Sequence, residues 1–362
     1  MRSLRIVRLN QHMFPSGPGP LQRTSRRFAL FGQLPMTYWD RAIAVQLARI
    51  RETINNSAPD SALSLQSAAL AHGLDVLLPT IDIQLVITCT HSRPQTRIGI
   101  RGQGFAPSVV RRSRRRYPPS AFAQTEYGKA LDLPYLIIEY LAYEDIVPAL
   151  VTIESAVRKI VQPDRRDRKG TVRRFRKLTR LLRNIITRLK DRRYTKRMLK
   201  NLELVSPWSE SAGETITKLR MLEAGLPRAI QQQQISTSSA TYFADFCFPC
   251  ERIVVEFDGL VKYREAHPHA PTSTPLRILE DVKRALDQRE RDIKVAFPTI
   301  VRITWAQLWD LRVFILLRRL LNPKSLAEPL KLNSNFDWYT YKRTRIHEES
   351  EDYAPEWRRK AG

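Results

Sequence analysis

The chain has 362 residues, of which 43% are apolar, so it is long enough for two domains that each have a core. Sixty-one lysine and arginine residues against 36 acidic ones give a net charge of +25, which favours a polyanionic partner, and nucleic acid before a membrane surface. Three cysteines exclude a disulfide framework, so we expect a reducing, cytoplasmic location.

No segment has the pattern of an export signal or a membrane span. Met1–Pro20 is interrupted by arginine and proline and has no apolar core. The most apolar stretch, Leu133–Ile153, contains Glu139, Glu144 and Asp145 and is therefore expected to be a core segment. We expect no membrane association.

The first part of the chain predicts a loose polar segment over residues 1–25 and an α+β domain over residues 26–160. Apolar residues at helical spacing and β-branched runs define its elements. The expected helices are Tyr38–Asn55, Ser64–His72 and Ile146–Ile160, and the expected strand is Ile81–Thr88. Gly73 marks the end of the second helix, and the basic cluster Arg111–Arg116, followed by two prolines, is expected in a loop.

Residues 161–205 form a basic linker that we predict to be helical. Between Asp164 and Lys200 about half of the residues are basic, and apolar residues recur every three or four positions. Such a helix can contact phosphate, lie on an anionic membrane, or join two domains with a solvated outer face. The residues predicted to contact DNA here are Arg173, Arg174, Lys177 and Arg180.

Residues 206–321 show the clearest order of elements. We predict a helix over Ser209–Ala224, three strands, a charged helix, a fourth strand and a closing helix from Trp305. The predicted strands are Ala229–Ile235, Thr241–Phe248, Arg252–Phe257 and Ile300–Thr304, and the charged helix is Leu276–Lys294. This α-β-β-β-α-β order predicts an α/β sandwich with a mixed sheet. Residues 322–362 are polar and are expected to fray.

Three acidic residues stand in strands that otherwise have a core composition. A hairpin turn between Cys250 and Glu251 would place Asp245 opposite Glu256, and Asp258 on the same face. Like charges there need compensation, which Lys262 and a divalent cation could supply. The alternative is that the acids face solvent and are held by arginine. Glu214 in the preceding helix fits a capping box and equally well a metal ligand.

The same residues resemble a known family. Ser209–Glu214, Glu223–Pro227, Ala244–Phe246, Val255–Gly259 and Arg302–Trp305 follow the order of the PD-(D/E)xK superfamily, in its very-short-patch-repair-endonuclease-like branch. The resemblance covers Ser206–Trp309 and implies a restriction-endonuclease-like fold that cleaves DNA with Mg²⁺ or Mn²⁺.

The resemblance also assigns roles to the residues of the site. It gives Asp245, Glu256 and Glu214 as metal ligands. Asp258 stands where the superfamily often has lysine, so Lys262 is the replacement in this branch. By the same reasoning Lys283 and Arg284 in the charged helix are expected to contact DNA phosphates.

A fainter resemblance lies in the N-terminal domain. Ser64–Leu74 is similar to a segment of abortive-infection-type antitoxins, whose winged-helix module is represented here at most by Leu21–Gly32. Three hypotheses therefore stand. The protein is a metal-dependent endonuclease, a non-catalytic DNA-binding regulator in a toxin–antitoxin or defence context, or a basic RNA- or ribosome-associated protein, which leaves the acids unexplained.

Overall fold

The computed structural model describes residues 5–8, 21–23, 28–31, 38–77, 82–87, 95–98, 108–189, 194–258, 287–332 and 334–338. The chain divides into two compact units. The first contains the described residues up to Ala156 and those of Leu182–Glu203, and the second contains Val157–Leu181 and the described residues from Leu204 onward. Lys262, Lys283 and Arg284 lie outside the described residues.

The first unit begins with a small antiparallel sheet. Its strands are β1 (Arg5–Arg8), β2 (Leu21–Arg23) and β3 (Phe28–Phe31), with β3 in the middle. The prediction that residues 1–25 are loose is therefore wrong for the residues of β1 and β2. Both strands pair with β3, which begins at Phe28, after the end of that segment.

A mixed sheet of six strands forms the centre of the first unit. In chain order the strands are β4 (Ala62–Leu63), β5 (Ile83–Ile87), β6 (Gln95–Ile98), β7 (Ser108–Arg114), β8 (Phe122–Thr125) and β9 (Gly128–Leu131). Their order in the sheet is β6-β7-β5-β4-β9-β8. The loop predicted over Arg111–Arg116 is wrong for Arg111–Arg114, which belong to β7, a strand that pairs with both β5 and β6. Arg115 and Arg116 follow the strand in a loop, as predicted.

The helices of this region agree with the predicted pattern. They are α1 (Tyr38–Asn55), α2 (Leu65–Ala71), α3 (Leu133–Tyr143) and α4 (Ile146–Val161), of which α3 was anticipated only as a core segment. Gly73 has a φ of +66°, which confirms its role in ending α2. Within the described residues no helix is long and apolar enough to cross a membrane.

The basic segment forms α5 (Arg168–Arg188) and α6 (Thr195–Leu202). The predicted amphipathic pattern is confirmed, because Leu178, Leu182 and Ile186 are buried at helical spacing while most of the basic residues face solvent. The first part of α5 belongs to the second unit and its last part, with α6, belongs to the first. The segment is therefore shared between the units.

The second unit is built on a mixed sheet of four strands. These are β10 (Ile230–Ser236), β11 (Thr241–Phe248), β12 (Ile253–Asp258) and β13 (Thr299–Thr304), in that order. The pairs β10–β11 and β11–β12 are antiparallel, and β12–β13 is parallel. All four strands were predicted to within a residue or so of their bounds.

Helices cover both faces of this sheet. On one face, α7 (Ala212–Glu223) lies so close that a Cβ at Gly213 would come within 2.0 Å of the Phe257 ring. On the other, residues 287–296 form α8, whose Ile293 packs on Cys247 and Val254. Two further helices follow the sheet, α9 (Trp305–Leu308) and α10 (Leu311–Arg319). The predicted order of elements is thus present.

The described part of the polar tail is ordered against the second unit. Backbone amides of Ala327 and Leu330 donate to carbonyls at the end of α7, at 3.0 and 2.9 Å. Trp338 packs on Trp309 and lies under the guanidinium of Arg220. The expectation that the tail frays is wrong for residues 323–332 and 334–338, because backbone hydrogen bonds and the aromatic ring of Trp338 anchor them.

Candidate functional site

The start of α7 places Glu214 in the interior. Ser211 is the N-cap, and its Oγ accepts a hydrogen bond from the Glu214 backbone amide at 3.2 Å, as the predicted cap requires. The Glu214 carboxylate accepts hydrogen bonds from the Glu210 amide and the Ser211 hydroxyl, both at 2.9 Å. The predicted cap is therefore present. It does not explain all the contacts of the Glu214 side chain, which is only 4% exposed.

Glu214 shares a partner with a second buried acid. The Nε2 of Gln232 lies 3.3 Å from Oε2 of Glu214 and 3.4 Å from Oδ1 of Asp245. The other carboxylate oxygen of Asp245 accepts a hydrogen bond from the backbone amide of Phe257 at 2.9 Å. One uncharged amide thus lies between two carboxylates, and we name these residues (Glu214, Gln232 and Asp245) the acid pair with its bridging glutamine.

Burial and mutual repulsion change the acidity of the pair. Removal from water, and next the nearby charge of Asp245, raise the pKa of Glu214 to about 7, against the opposing effect of its hydrogen bonds from Glu210 and Ser211. At neutral pH Glu214 therefore retains a proton for part of the time. Either a proton or a cation can relieve the repulsion between the two carboxylates.

The two strands are irregular where the acid pair forms. Ala244, Cys247 and Val254 pack in one cluster with Ile293, although residues three apart in a regular strand point to opposite faces. The alternation of side chains between the two faces of β11 therefore breaks between Ala244 and Cys247. The neighbouring strand β10 is irregular at the same level, because Gln232 has a φ of +49°. Gln232 lies between the pairs Gln231↔Phe246 and Gln233↔Ala244.

The break separates Asp245 from Glu256. The register predicted for the hairpin is confirmed at Phe248↔Ile253, but the described ladder ends at Phe246↔Val255, one pair before the two acids. Asp245 lies on the α7 side of the sheet with Glu214, whereas Glu256 lies on the side of α8. The prediction that Asp245, Glu256 and Asp258 share one face is wrong for Asp245.

Glu256 and Asp258 face a group of arginines. Nη2 of Arg289, on α8, contacts Glu256 at 2.6 Å and the Phe243 carbonyl at 3.1 Å. Arg302 of β13 lies beside Glu256 in the parallel register and contacts Asp258 at 4.0 Å. Arginine therefore supplies here the positive charge that was expected from Lys262. Lys262 itself lies outside the described residues. Helical spacing from Ile293 to Arg289 could have indicated this contact.

Two residues from the basic segment also reach the site. Nη1 of Arg168 donates to the carbonyls of Gln231 and Gln232 at 3.0 and 2.7 Å, and its guanidinium lies over the Trp208 ring. Arg165 pairs with the carboxylate of Glu210. Arg168 thereby holds the backbone at the irregular glutamine. Neither contact was expected from the sequence.

The residues predicted to contact DNA differ in their surroundings. Arg173, Lys177 and Arg180 are exposed on α5. Arg174 is exposed in part, but its guanidinium donates to the carbonyls of Val161 and Gln162, at 2.9 and 3.1 Å, and so anchors α5 to the end of α4. The first three remain candidates for contact with phosphate.

The acid pair suits a hard divalent cation, because it offers buried oxygen ligands with excess negative charge. In the described part of the chain, however, no group of three or more His, Cys, Asp and Glu side chains is arranged to hold a metal. Glu214 and Asp245 both contact Gln232, while Glu256 is held by Arg289. The three predicted ligands are therefore not gathered into one group.

Comparison of the chain with protein-family models, with curated proteins and with solved structures finds no match in any of the three.

Proposed function

We propose that the second unit is a metal-dependent DNA endonuclease with the PD-(D/E)xK fold. The observation that carries the proposal is the acid pair with its bridging glutamine, buried within a chain of net charge +25. Two carboxylates beside each other in a core cost free energy unless a proton or cation compensates them. A basic protein that keeps such a pair is suited to bring a cation and a phosphate together.

In this proposal Glu214 and Asp245 hold Mg²⁺ or Mn²⁺. The metal would lower the pKa of a bound water and stabilise charge that develops on the phosphate. Gln232 donates to both carboxylates and cannot titrate, so it does not neutralise their charge. The Phe257 amide fixes the orientation of Asp245.

The arginines on the other side have separate tasks. Arg289 holds Glu256 at 2.6 Å, and Arg302 contacts Glu290 at 2.8 Å and Asp258 at 4.0 Å. These ion pairs balance the acids at the end of β12, so contact with the phosphates that flank the scissile one is assigned to basic residues elsewhere. The exposed face of α5 adds three basic residues, Arg173, Lys177 and Arg180. We also propose, from the sequence, that the protein acts on DNA in the cytoplasm.

The test is cleavage of supercoiled plasmid by the full chain in Mg²⁺ or Mn²⁺, with EDTA as the blank. We expect Asp245→Asn and Glu214→Gln to reduce the rate at least about a hundredfold, as loss of a metal ligand or its support does. Glu210→Gln is the matched control, because it removes an exposed carboxylate from the same end of α7. Wild-type cleavage retained by both acid variants would contradict the proposal.

A second function is favoured by one observation. Because Arg289 already neutralises Glu256, the protein could bind DNA without cutting it, as a regulator with a nuclease-like fold. That function predicts salt-sensitive DNA binding in EDTA and no cleavage in either metal. Cleavage that EDTA abolishes would eliminate it, and the substitutions Asp245→Asn and Glu214→Gln would leave its DNA affinity unchanged.

A further inference from the structure

A cavity in the first unit has no part in the proposed nuclease. It has a volume of about 240 Å³ and lies between the end of β7, helix α3 and helix α6. Basic and aromatic side chains dominate its lining, and among its described lining residues there is no acidic one. Those that matter here are Arg114, Arg115, Arg116, Tyr143, Tyr194 and Met198.

The central arginine is fixed in place. The guanidinium of Arg115 lies 4.0 Å from the centre of the Tyr143 ring, and its Nη1 donates to the Arg114 carbonyl at 2.9 Å. Its Nε is 3.6 Å from the carboxylate of Glu139, which is 1% exposed and also accepts a hydrogen bond from Tyr117. Glu139 thus lies on the buried side of Arg115, and burial raises the pKa of its carboxyl group.

The flanking arginines give the rim its charge. Arg114 and Arg116 are exposed on either side of Arg115. Together with Arg115, they place three guanidinium groups at the cavity. Guanidinium groups bind phosphate through two parallel hydrogen bonds, so an anionic group is the natural occupant of the rim.

The interior of the cavity is aromatic and apolar. The rings of Tyr143 and Tyr194 meet edge to face, with their centres 5.0 Å apart at 70°. Ile138, Ala142 and Met198 complete this wall. Tyrosine rings and arginine side chains are surfaces on which nucleic acid bases stack.

We propose that this cavity binds one nucleotide, with its base against Tyr143 and Tyr194 and its phosphate at Arg114 and Arg116. A volume of 240 Å³ is below the range of about 300–1,000 Å³ typical of larger ligands, so it accepts a single base and leaves the phosphate at the rim. Inorganic phosphate would leave the aromatic wall unused, and a purely apolar ligand would leave the arginines unused.

The nucleotide has two possible sources, a free mononucleotide or an unpaired nucleotide at the end of a nucleic acid. The full chain is titrated in EDTA with dTMP, with thymidine, with inorganic phosphate, and with oligo(dT) that carries or lacks a 5′-phosphate. Saturable binding of dTMP, at least about tenfold tighter than that of thymidine or phosphate, indicates the free nucleotide. If dTMP does not bind, and oligo(dT) with a 5′-phosphate binds at least about tenfold tighter than oligo(dT) without one, the ligand is the end of a nucleic acid chain.

Variants assign the binding to the cavity. We expect the double variant Arg114→Gln/Arg116→Gln to weaken binding of the preferred ligand at least tenfold, because two charged contacts are lost. Arg111→Gln, which removes the same charge from the same strand outside the cavity, changes it less than about twofold. Tyr194→Leu weakens nucleotide binding but not phosphate binding, and Tyr194→Phe restores the former.

Three results would overturn the proposal. One is that none of the nucleotide ligands binds in EDTA. Another is that the double arginine variant binds as tightly as wild type. The third is that the preferred ligand binds no more tightly than inorganic phosphate. All three are independent of metal and of DNA cleavage, so failure here and failure of the nuclease proposal are separate outcomes.

Discussion

Replacing Glu214 by glutamine tests whether the acid pair stores electrostatic free energy. Since burial and Asp245 raise the pKa of Glu214 from 4.5 to about 7, the folded state holds a proton that the unfolded state releases between these values. The stability due to this proton is fully present below pH 4.5 and is lost as the pH rises to about 7. A pKa difference of this size corresponds to about 3 kcal/mol in the free energy of unfolding.

Glutamine resembles the protonated acid in shape and charge. Its carbonyl can accept from the Glu210 amide and its amino group can donate to Ser211, so the cap is retained. We therefore expect the metal-free wild type to lose about 2.5 kcal/mol more stability than Glu214→Gln between pH 5 and pH 8. Glu223, whose pKa burial also raises, contributes equally to both proteins and cancels.

The assay is urea unfolding followed by tryptophan fluorescence over this pH range. Trp208, Trp305, Trp309 and Trp338 lie in the second unit, so the signal reports mainly on it. Added Mn²⁺ should stabilise wild type increasingly as the pH rises, because the cation takes the place of the proton, and should stabilise Glu214→Gln less. Glu210→Gln should retain most of the wild-type pH dependence, because the charge of Glu210 is the smallest of the causes that raise the pKa of Glu214. Equal pH slopes for wild type and Glu214→Gln would refute the reasoning.

Three more predictions concern the core, each measured as a free energy of unfolding. Arg289→Leu should cost about 1–3 kcal/mol, because it removes the 2.6 Å ion pair of the largely buried carboxylate of Glu256. Glu256→Leu in the same chain should recover most of the loss, and an additive double variant would contradict the ion pair. Gly213→Ala should cost about 1–3 kcal/mol, because its Cβ would lie 2.0 Å from a ring carbon, and a neutral effect would show that α7 can move away freely. Leu182→Ala should cost about 2–5 kcal/mol, because Leu182 is 0% exposed. Leu181→Ala should cost less than about 1 kcal/mol, because Leu181 is 47% exposed. Similar losses for the two variants would contradict the orientation of α5.

The elements of the second unit could be predicted because local patterns determine them. Ser211 and Glu214 indicate the start of α7, and the run of β-branched residues indicates β12 as a central strand. The hairpin register near its turn follows from turn geometry and holds at Phe248↔Ile253. Helical spacing likewise identifies the buried residues of α5.

The arrangement of the acids could not be predicted in the same way. Assigning side chains to the faces of a sheet by counting residues assumes that they alternate without interruption. The break near Asp245 places its side chain on the face opposite to the predicted one. No turn or glycine in the sequence marks that position. The break depends on Gln232 adopting a positive φ, which Arg168 supports from a distant helix. Contacts between distant elements, such as Arg289 with Glu256, are invisible to local patterns.

The parallel pairing of β12 with β13 also has a consequence for the order in which the site assembles. Glu256 meets Arg302 only after a long connection has closed, whereas β10, β11 and β12 are joined by short antiparallel turns. Closure of long loops is slow relative to hairpin formation. During synthesis or refolding, the acidic side of the site therefore forms before its arginine counterpart, and a chain halted at that stage would expose Glu256 and Asp258 without Arg302.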